Sequence, residues 1–549
     1  MVNNPSRRVR PRIDGIILGG QVLVLGVLVL GLVYTLQFAP RPGTLIYPAC
    51  VLLTVLFVWS VWSWRVVAQS LFDPYIMFLI AATLFNGGQA LLEVFHLNDQ
   101  GILRNIFPPE TVAATLFLVL LGLAALHLGA LVSVMVEKRR RPAPGPRTTT
   151  RTMQAMRLTS WGLLLISTPF VLLLLRESLG VVWSWGYSEL YRRPRTTGFE
   201  ATPRILASFL TPAVLFLLAG SKGRRGSSVV SGLLLLVYSA VLFFMGSRAL
   251  AVMPLLAYAW LWHRWIRPVP KTALVAAGLV VLFVIFPLVA AARGTPGSAR
   301  LSPALLKDLF LSIHNPAIQS VSEMGGSMQT VAYTLELVPS VRPFDLGTGY
   351  LYALLTVVPN VAWDVHPTVA RGLAANWLVW TVAPGRAATG GGFGFSFIAE
   401  AYLNFGWVGS PVILGLIGFS LAGAVFRVQR RRDPTHMAAL ASYSAFFLIF
   451  ARGESATVIR PLLWYALLPY LLVRLLAQLR LHPIRHADPA AVAGLPQREQ
   501  SEVGCGGVAP FPGRPMGQPA GAADGGFLAP GPDRTSDPGL APTDEAVPD

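Results

Sequence analysis

Apolar runs of about twenty residues, each long enough to cross a hydrocarbon core of roughly 30 Å as a helix, recur from one end of this chain nearly to the other. Inside a bilayer every backbone N–H and C=O must be bonded internally, which leaves only helices and closed barrels, and runs this long and unbroken are helical. The expected spans are Ile13 to Phe38, Leu45 to Trp64, Phe72 to Phe95, Thr111 to Val136, Leu158 to Val181, Arg204 to Gly220, Val229 to Gly246, Ala249 to His263, Thr272 to Ala292, Phe405 to Val425, Met437 to Ala451 and Val458 to Ala477. The fold class is therefore all-α, a polytopic membrane protein with about 12 transmembrane helices and a large outer-face loop. Charged residues make up only 13% of the chain, against roughly 25% in a soluble domain, which excludes a large water-soluble enzyme. The first run exceeds the roughly 7–15 apolar residues of a signal peptide and no small-residue cleavage site follows it, so it reads as a span.

The net charge of +18 is explained by topology. One alternating path, with both termini in the cytoplasm, puts Arg7/Arg8/Arg10/Arg12, Lys138/Arg139/Arg140/Arg141, Lys222/Arg224/Arg225, Arg264/Arg267/Lys271, Arg427/Arg430/Arg431/Arg432 and Arg474/Arg480/Arg485 on the inner side, as the bias of cytoplasmic loops toward Lys and Arg requires. Nucleic acid is not needed as a partner. The expected organisation is a basic cytoplasmic N-terminus (1–12), about nine transmembrane helices (13–292), a large extracytoplasmic loop with a membrane-dipping segment (293–404), about three further helices (405–486) and a disordered cytoplasmic tail (487–549) rich in Gly, Pro and Ala. Cys50 and Cys505 lie too far apart in sequence and setting to suggest a disulfide framework or a thiolate metal site.

The cations left over are nearly all Arg, on the face where positive charge is not expected: Arg192, Arg193, Arg195, Arg204, Arg248, Arg293, Arg300, Arg342, Arg371, Arg386, Arg452 and Arg460. Arg248, Arg293, Arg452 and Arg460 stand at or within spans. A charge near the bilayer centre costs about 2.5–3.5 kcal/mol on insertion scales and usually faces a polar cavity or a partner. Snorkelling to an interface accounts for any one of them; their convergence on one side favours a shared anionic ligand. Arg suits phosphate because its planar fork donates paired hydrogen bonds and stays charged when partly desolvated. The stretch between Arg293 and Asn404 is too long for a simple connector, and its piece TGYLYALLTVVPNVAW is too short and Pro-broken to span. Gly390, Gly391 and Gly392 offer N–H groups to an anion, although a hinge or turn is the plainer reading.

Three stretches, HNPAIQSVSEMGGSMQTVAYTLELVP, DLGTGYLYALLTVVPN and GGFGFSFIAEAYLNFGWVGSPVILGLIGF, together with the Gly246-Ser247-Arg248 helix start, resemble the bacterial O-antigen polysaccharide polymerases of the Wzy type. The resemblance covers Ser239 to Tyr470, and the N-terminal helices match in hydropathy alone. It implies a GT-C-like membrane glycosyltransferase that moves a glycan from an undecaprenyl diphosphate carrier to the next lipid-linked repeat unit. The setting is the outer face of the bacterial cytoplasmic membrane, with membrane lipids around it and a chain-length regulator and a flippase as partners. Neither a cofactor nor a metal is expected, because arginines would stabilise the departing diphosphate. On this reading Arg248, Arg293, Arg371 and Arg452 form the diphosphate clamp, with Arg386 and Arg460 next.

The acceptor hydroxyl needs a base, for which the candidates are Glu323, His314, His366 and Glu400, with Asp345 behind them. Asp345, Tyr350, Tyr402 and Asn404 are the expected substrate-binding residues. The candidate bases have plainer alternatives: an ion pair with Arg or a helix cap for Glu323, a structural pair with one of the arginines for Glu400, a helix terminus for His314, and a loop for His366. An O-antigen ligase is the nearest enzymatic rival. A transporter is the rival from another class, disfavoured because the polar residues gather at one face rather than at the midplane.

Overall fold

The computed structural model describes residues 6–37, 41–99, 101–140, 149–187, 189–192, 202–293, 295, 297–313, 315–358 and 363–479. The chain divides into two units, Met1–His482 and Pro483–Asp549, and the second, with the tail expected at 487–549, lies outside the described residues, as do Arg193, Arg195 and His314. The described residues form helices and no strand.

Among the described residues, eleven helices are long and apolar enough to cross a membrane. Pro109–Arg139 is apolar on every side, and 83% of its most apolar window is buried, which makes it the central element of the bundle. Lys271–Ala292 is the opposite case: it is more apolar still, yet only 6% of its window is covered, a surface that suits lipid and not water. The expected span Ala249 to His263 is also helical, as Arg248–Leu261 continued by the π-helical turn Trp262–Ile266. Its Arg, His and Trp content leaves it outside the eleven.

The longest contact within the bundle is made by Phe397–Arg431 against Pro109–Arg139. Their backbones meet at small residues: a Cβ on Gly418 would overlap the Leu126 carbonyl, and one on Gly129 the Gly415 carbonyl. Lipid gives helices no hydrophobic reason to associate, so such close packing holds them together. Gly418→Leu is expected to force the pair apart at a cost of at least about 1–3 kcal/mol, read as a lower midpoint of thermal unfolding in detergent.

The basic clusters meet at one end of the bundle. Lys138 pairs with Asp14 at 2.7 Å, Arg427 with Glu137 at 2.5 Å, and Arg474 with Asp433 at 2.7 Å. Arg264 donates to Gln429 at 2.8 Å, and Lys222 lies 4.1 Å over the Trp265 ring.

The described residues between the spans, within 293–396, are folded rather than a slack loop. The longer of their helices are Pro303–Leu311, Pro316–Gly325, Met328–Leu337, Thr348–Leu355 and Ala374–Val382. Pro at the first position of several of them, behind caps such as Ser302 and Asn315, starts each helix anew. The piece expected to dip into the membrane is helical over Thr348–Leu355. One expected boundary moves: the span read as beginning at Phe405 begins at Phe397, capped by Ser396, so 397–404 belongs to the helix. A non-helical Gly406 (φ 62°, ψ −157°) sits inside it, and the polar Glu400 and Asn404 ahead of it break the apolar pattern, which suggested a later start.

Candidate active site

At the end of the bundle remote from the basic clusters, three arginines gather round one carboxylate. Arg248, at the first position of its helix, pairs with Glu323 through one nitrogen and donates to the Phe286 carbonyl at 3.1 Å through another. Arg293 stands 3.7 Å from the same Glu323 oxygen, donates to the Gly246 carbonyl at 3.2 and 3.1 Å, and lies 4.7 Å over the Tyr187 ring. Arg452 is the third, within the field of Glu323, Arg248 and Arg293. Its guanidinium has no hydrogen-bond or carboxylate partner among the described residues and rests against the Phe85 ring at 5.6 Å. With Glu323 ionised, the cluster holds three positive charges against one negative, so it lacks anionic charge.

Glu323 is placed there by a close helix crossing. Its helix, Pro316–Gly325, lies against Pro74–Val94, where a Cβ on Gly88 would come within 2.7 Å of the Val321 carbonyl oxygen. Arg300 fixes the backbone beyond Arg293, donating to the carbonyls of Phe244 at 2.8 Å, Thr295 at 2.8 Å and Arg293 at 3.2 Å. Burial, with the charge of Arg293, lowers the pKa of Arg300, and its donors are committed to structure.

A second polar recess opens beside the first. Asp345 is held by Arg342 at 2.9 and 3.0 Å and by Arg371; Arg342 lies over Trp377 at 4.7 Å and Arg371 over Tyr352 at 4.6 Å. Glu454 accepts the N–H groups of Ala374 at 2.9 Å and Ala375 at 3.2 Å, at the start of the helix Ala374–Val382. Glu400 accepts from the Ser455 N–H at 2.8 Å and its hydroxyl at 2.6 Å. Arg342, Asp345, Tyr352, Arg371, Glu400, Asn404 and Glu454 line this recess together. The two recesses share the turn Arg452 to Ser455, which sends Arg452 to one and Glu454 to the other.

A polar knot lies under that turn. Asn86, fully buried, donates to the carbonyls of Ala82 and Ala451, both at 2.9 Å, and accepts from the Ser396 hydroxyl at 2.5 Å. The Ser396 N–H reaches Thr330 Oγ1 at 3.0 Å. One side chain thus ties the residue before Arg452 to the cap of the helix carrying Glu400. Asn86→Leu is expected to destabilise the protein by about 1–3 kcal/mol, the cost of stranding buried polar groups, and to lower activity by loosening the turn; thermal unfolding and product gels check both.

The residues singled out from sequence divide accordingly. Arg248, Arg293, Arg452 and Glu323 come together. Arg371 does not join them, because Asp345 holds it in the second recess. Arg386 lies 4.5 Å over Phe393 on the glycine loop, beside the stretch where Gly394 abuts Arg452. Arg460 donates to the Thr356 carbonyl at 2.8 Å, behind the second recess. His366 caps its helix: Nδ1 accepts the Thr368 N–H at 3.2 Å, which leaves Nε2–H to donate to the Val358 carbonyl at 3.1 Å. Both ring nitrogens are occupied, so it is not placed to act as a base.

Asn404 Oδ1 receives the N–H groups of Gly347 and Gly349, each at 3.2 Å. Tyr402 packs on Phe344 and Trp407. Tyr350, stacked on Phe405, keeps a buried hydroxyl without a hydrogen-bond partner, and burial with the Glu400 charge raises its pKa. Sequence reasoning missed Glu454 and Asn86 altogether. The signal for Glu454 was its place two residues after a misplaced Arg; Asn86 gave only a polar residue inside an apolar run.

Fold and site together define a class: a multi-pass, all-helical membrane protein with a cationic recess and a polar cavity side by side at one end. The sequence model of the family described as O-antigen polysaccharide polymerase Wzy matches residues 21–482, and the chain belongs to that family. The match takes in the N-terminal helices that hydropathy alone had linked to it. No curated protein and no solved structure matches the chain. Membership makes it a glycosyltransferase-type polymerase that acts on lipid-linked oligosaccharide repeat units and joins them into O-antigen.

Proposed function

We propose that the carrier lipid is undecaprenyl diphosphate, that its diphosphate binds Arg248, Arg293 and Arg452, and that polymerisation takes place at the outer face of the bacterial cytoplasmic membrane. The observation that carries this reading is Arg452, a guanidinium without a hydrogen-bond partner among the described residues, beside two others that share one carboxylate. As the acceptor oxygen bonds to the anomeric carbon of the donor sugar, the bond from that carbon to the phosphate oxygen breaks and the lipid diphosphate departs with the electron pair. Preorganised guanidinium groups stabilise the charge as it develops, doing here what a divalent cation does elsewhere. In the resting protein Glu323 occupies Arg248 and Arg293, and an arriving diphosphate displaces it. A GT-C-like layout, with a folded loop over a helical bundle, accords with this chemistry.

The orientation is supported by the basic clusters at the opposite end of the bundle, which favour the cytoplasm. A flippase would then supply the lipid-linked repeat unit, and a chain-length regulator would set when synthesis stops. Reporter fusions active only outside the cytoplasm test the orientation. Fusions within residues 293–396 are expected to be active, and those beside Arg139 or Arg432 inactive. Activity in the reverse pattern would overturn the outer-face assignment.

A further inference from the structure

The cationic recess leaves one chemical role unfilled. In an in-line displacement at a sugar carbon, the group that accepts the nucleophile's proton lies across the ring from the leaving group. Glu323 is bonded to the arginines that would hold the leaving diphosphate, which puts it on the departing side. The carboxylate on the other side of the shared turn is Glu454. Arg452 and Glu454 are two residues apart, yet Arg452 lies in the field of Glu323 while Glu454 lines the cavity with Arg342, Asp345, Arg371, Glu400 and Asn404.

We propose that this cavity is the acceptor subsite, that it takes the terminal sugar of the incoming lipid-linked repeat unit, and that Glu454 accepts the proton of the attacking hydroxyl. The proposal rests on the reading of Arg248, Arg293 and Arg452 as the diphosphate site. The cavity's lining of carboxylates, guanidinium groups and the Asn404 amide beside the Tyr352 ring offers donors and acceptors to the hydroxyls of a sugar. Asp345 fixes the forks of Arg342 and Arg371, so their remaining N–H groups are preorganised donors for ring hydroxyls.

Glu454 is equally fixed. Each of its oxygens takes one backbone N–H at the start of the helix Ala374–Val382, and each keeps a further lone pair to receive a proton. The charged groups facing it are Arg342, Asp345 and Arg371 from the folded loop and Glu400 from the helix beneath. Burial raises its pKa, against the opposing pull of the Ala374 and Ala375 N–H groups and of the charges on Arg371 and Arg342. A base is most effective when its pKa approaches the working pH. The step balances: the hydroxyl proton passes to Glu454, the oxygen bonds to the anomeric carbon, and the bond to phosphate breaks with its electrons on the lipid diphosphate.

The test uses full-length protein in lipid nanodiscs with an undecaprenyl-diphosphate-linked repeat unit as both donor and acceptor. Polymerisation rate is measured across about pH 5–9 for wild type, Glu454→Gln and Glu454→Asp, together with binding of the repeat unit and the thermal unfolding midpoint. Glu454→Gln is expected to lose about 100-fold or more in kcat, the usual worth of a positioned base, with binding near wild type and an unfolding midpoint lowered only modestly by the one backbone N–H that its amide leaves unpaired. Glu454→Asp is expected to recover part of the rate with a displaced acid limb of the pH profile. A Glu454→Gln protein that polymerises at the wild-type rate with the same acid limb overturns the proposal and leaves the polymerase reading intact. Loss of rate only in step with loss of the folded protein makes Glu454 a helix cap and overturns it as well. A wild type that binds the repeat unit but never extends it fails the underlying reading instead.

Discussion

Arg452→Ala lowers polymer synthesis by about 10²–10³-fold, the loss typical of removing one preorganised donor from a site of developing charge, while the protein stays in the membrane at its normal level. The separation of activity from stability follows from the side chain's surroundings. Its guanidinium donates to no carbonyl and pairs with no carboxylate among the described residues and lies over the Phe85 ring, so truncation strands no buried partner. Arg300 shows the contrasting case, with its nitrogens committed to the carbonyls of Phe244, Arg293 and Thr295. Arg452→Lys is not expected to restore the rate, because an ammonium is a point charge without the paired donors that match a phosphate. Surface-glycan gels beside an immunoblot of the membrane fraction check both halves.

Asp345→Ala has the second large effect, and it acts through the fold. Asp345 is the carboxylate between Arg342 and Arg371, and the side chains involved are only 11–22% exposed. Removing it takes away the carboxylate that holds both guanidinium groups, in a half-buried recess whose other acids, Glu400 and Glu454, are committed to other donors, and breaking such a pair costs up to about 3–5 kcal/mol. The expected result is a lower unfolding midpoint in detergent together with loss of polymer. Asp345→Asn combined with Arg371→Gln relieves the uncompensated charge. That double variant is expected to regain stability without regaining activity, which separates the structural share of the loss from the share due to the recess.

The bundle was legible because a bilayer dictates the length and apolarity of whatever crosses it. Arg248, Arg293 and Arg452 were legible for a related reason, as charges in places where charge is costly. The grouping of the arginines was not. Arg371 belongs with Asp345, 26 residues away in sequence, and no local pattern announces that pairing. The start of the helix at Phe397 was hidden because Glu400 and Asn404 interrupt the apolar run; the helix carries them because Ser455 satisfies one and Gly347 and Gly349 the other. His366 reads from sequence as a possible base, but Thr368 and Val358 occupy both its nitrogens, a pairing that only the fold brings about.

The most direct test of the central claim is reconstitution of the purified protein in lipid nanodiscs with an undecaprenyl-diphosphate-linked repeat unit as the only substrate, and separation of the products on a gel. The account predicts a ladder rising in steps of one repeat unit, with one lipid diphosphate released per step, from wild type but not from Arg452→Ala. A ladder of equal height from Arg452→Ala, or a single unextended band from wild type, would contradict it.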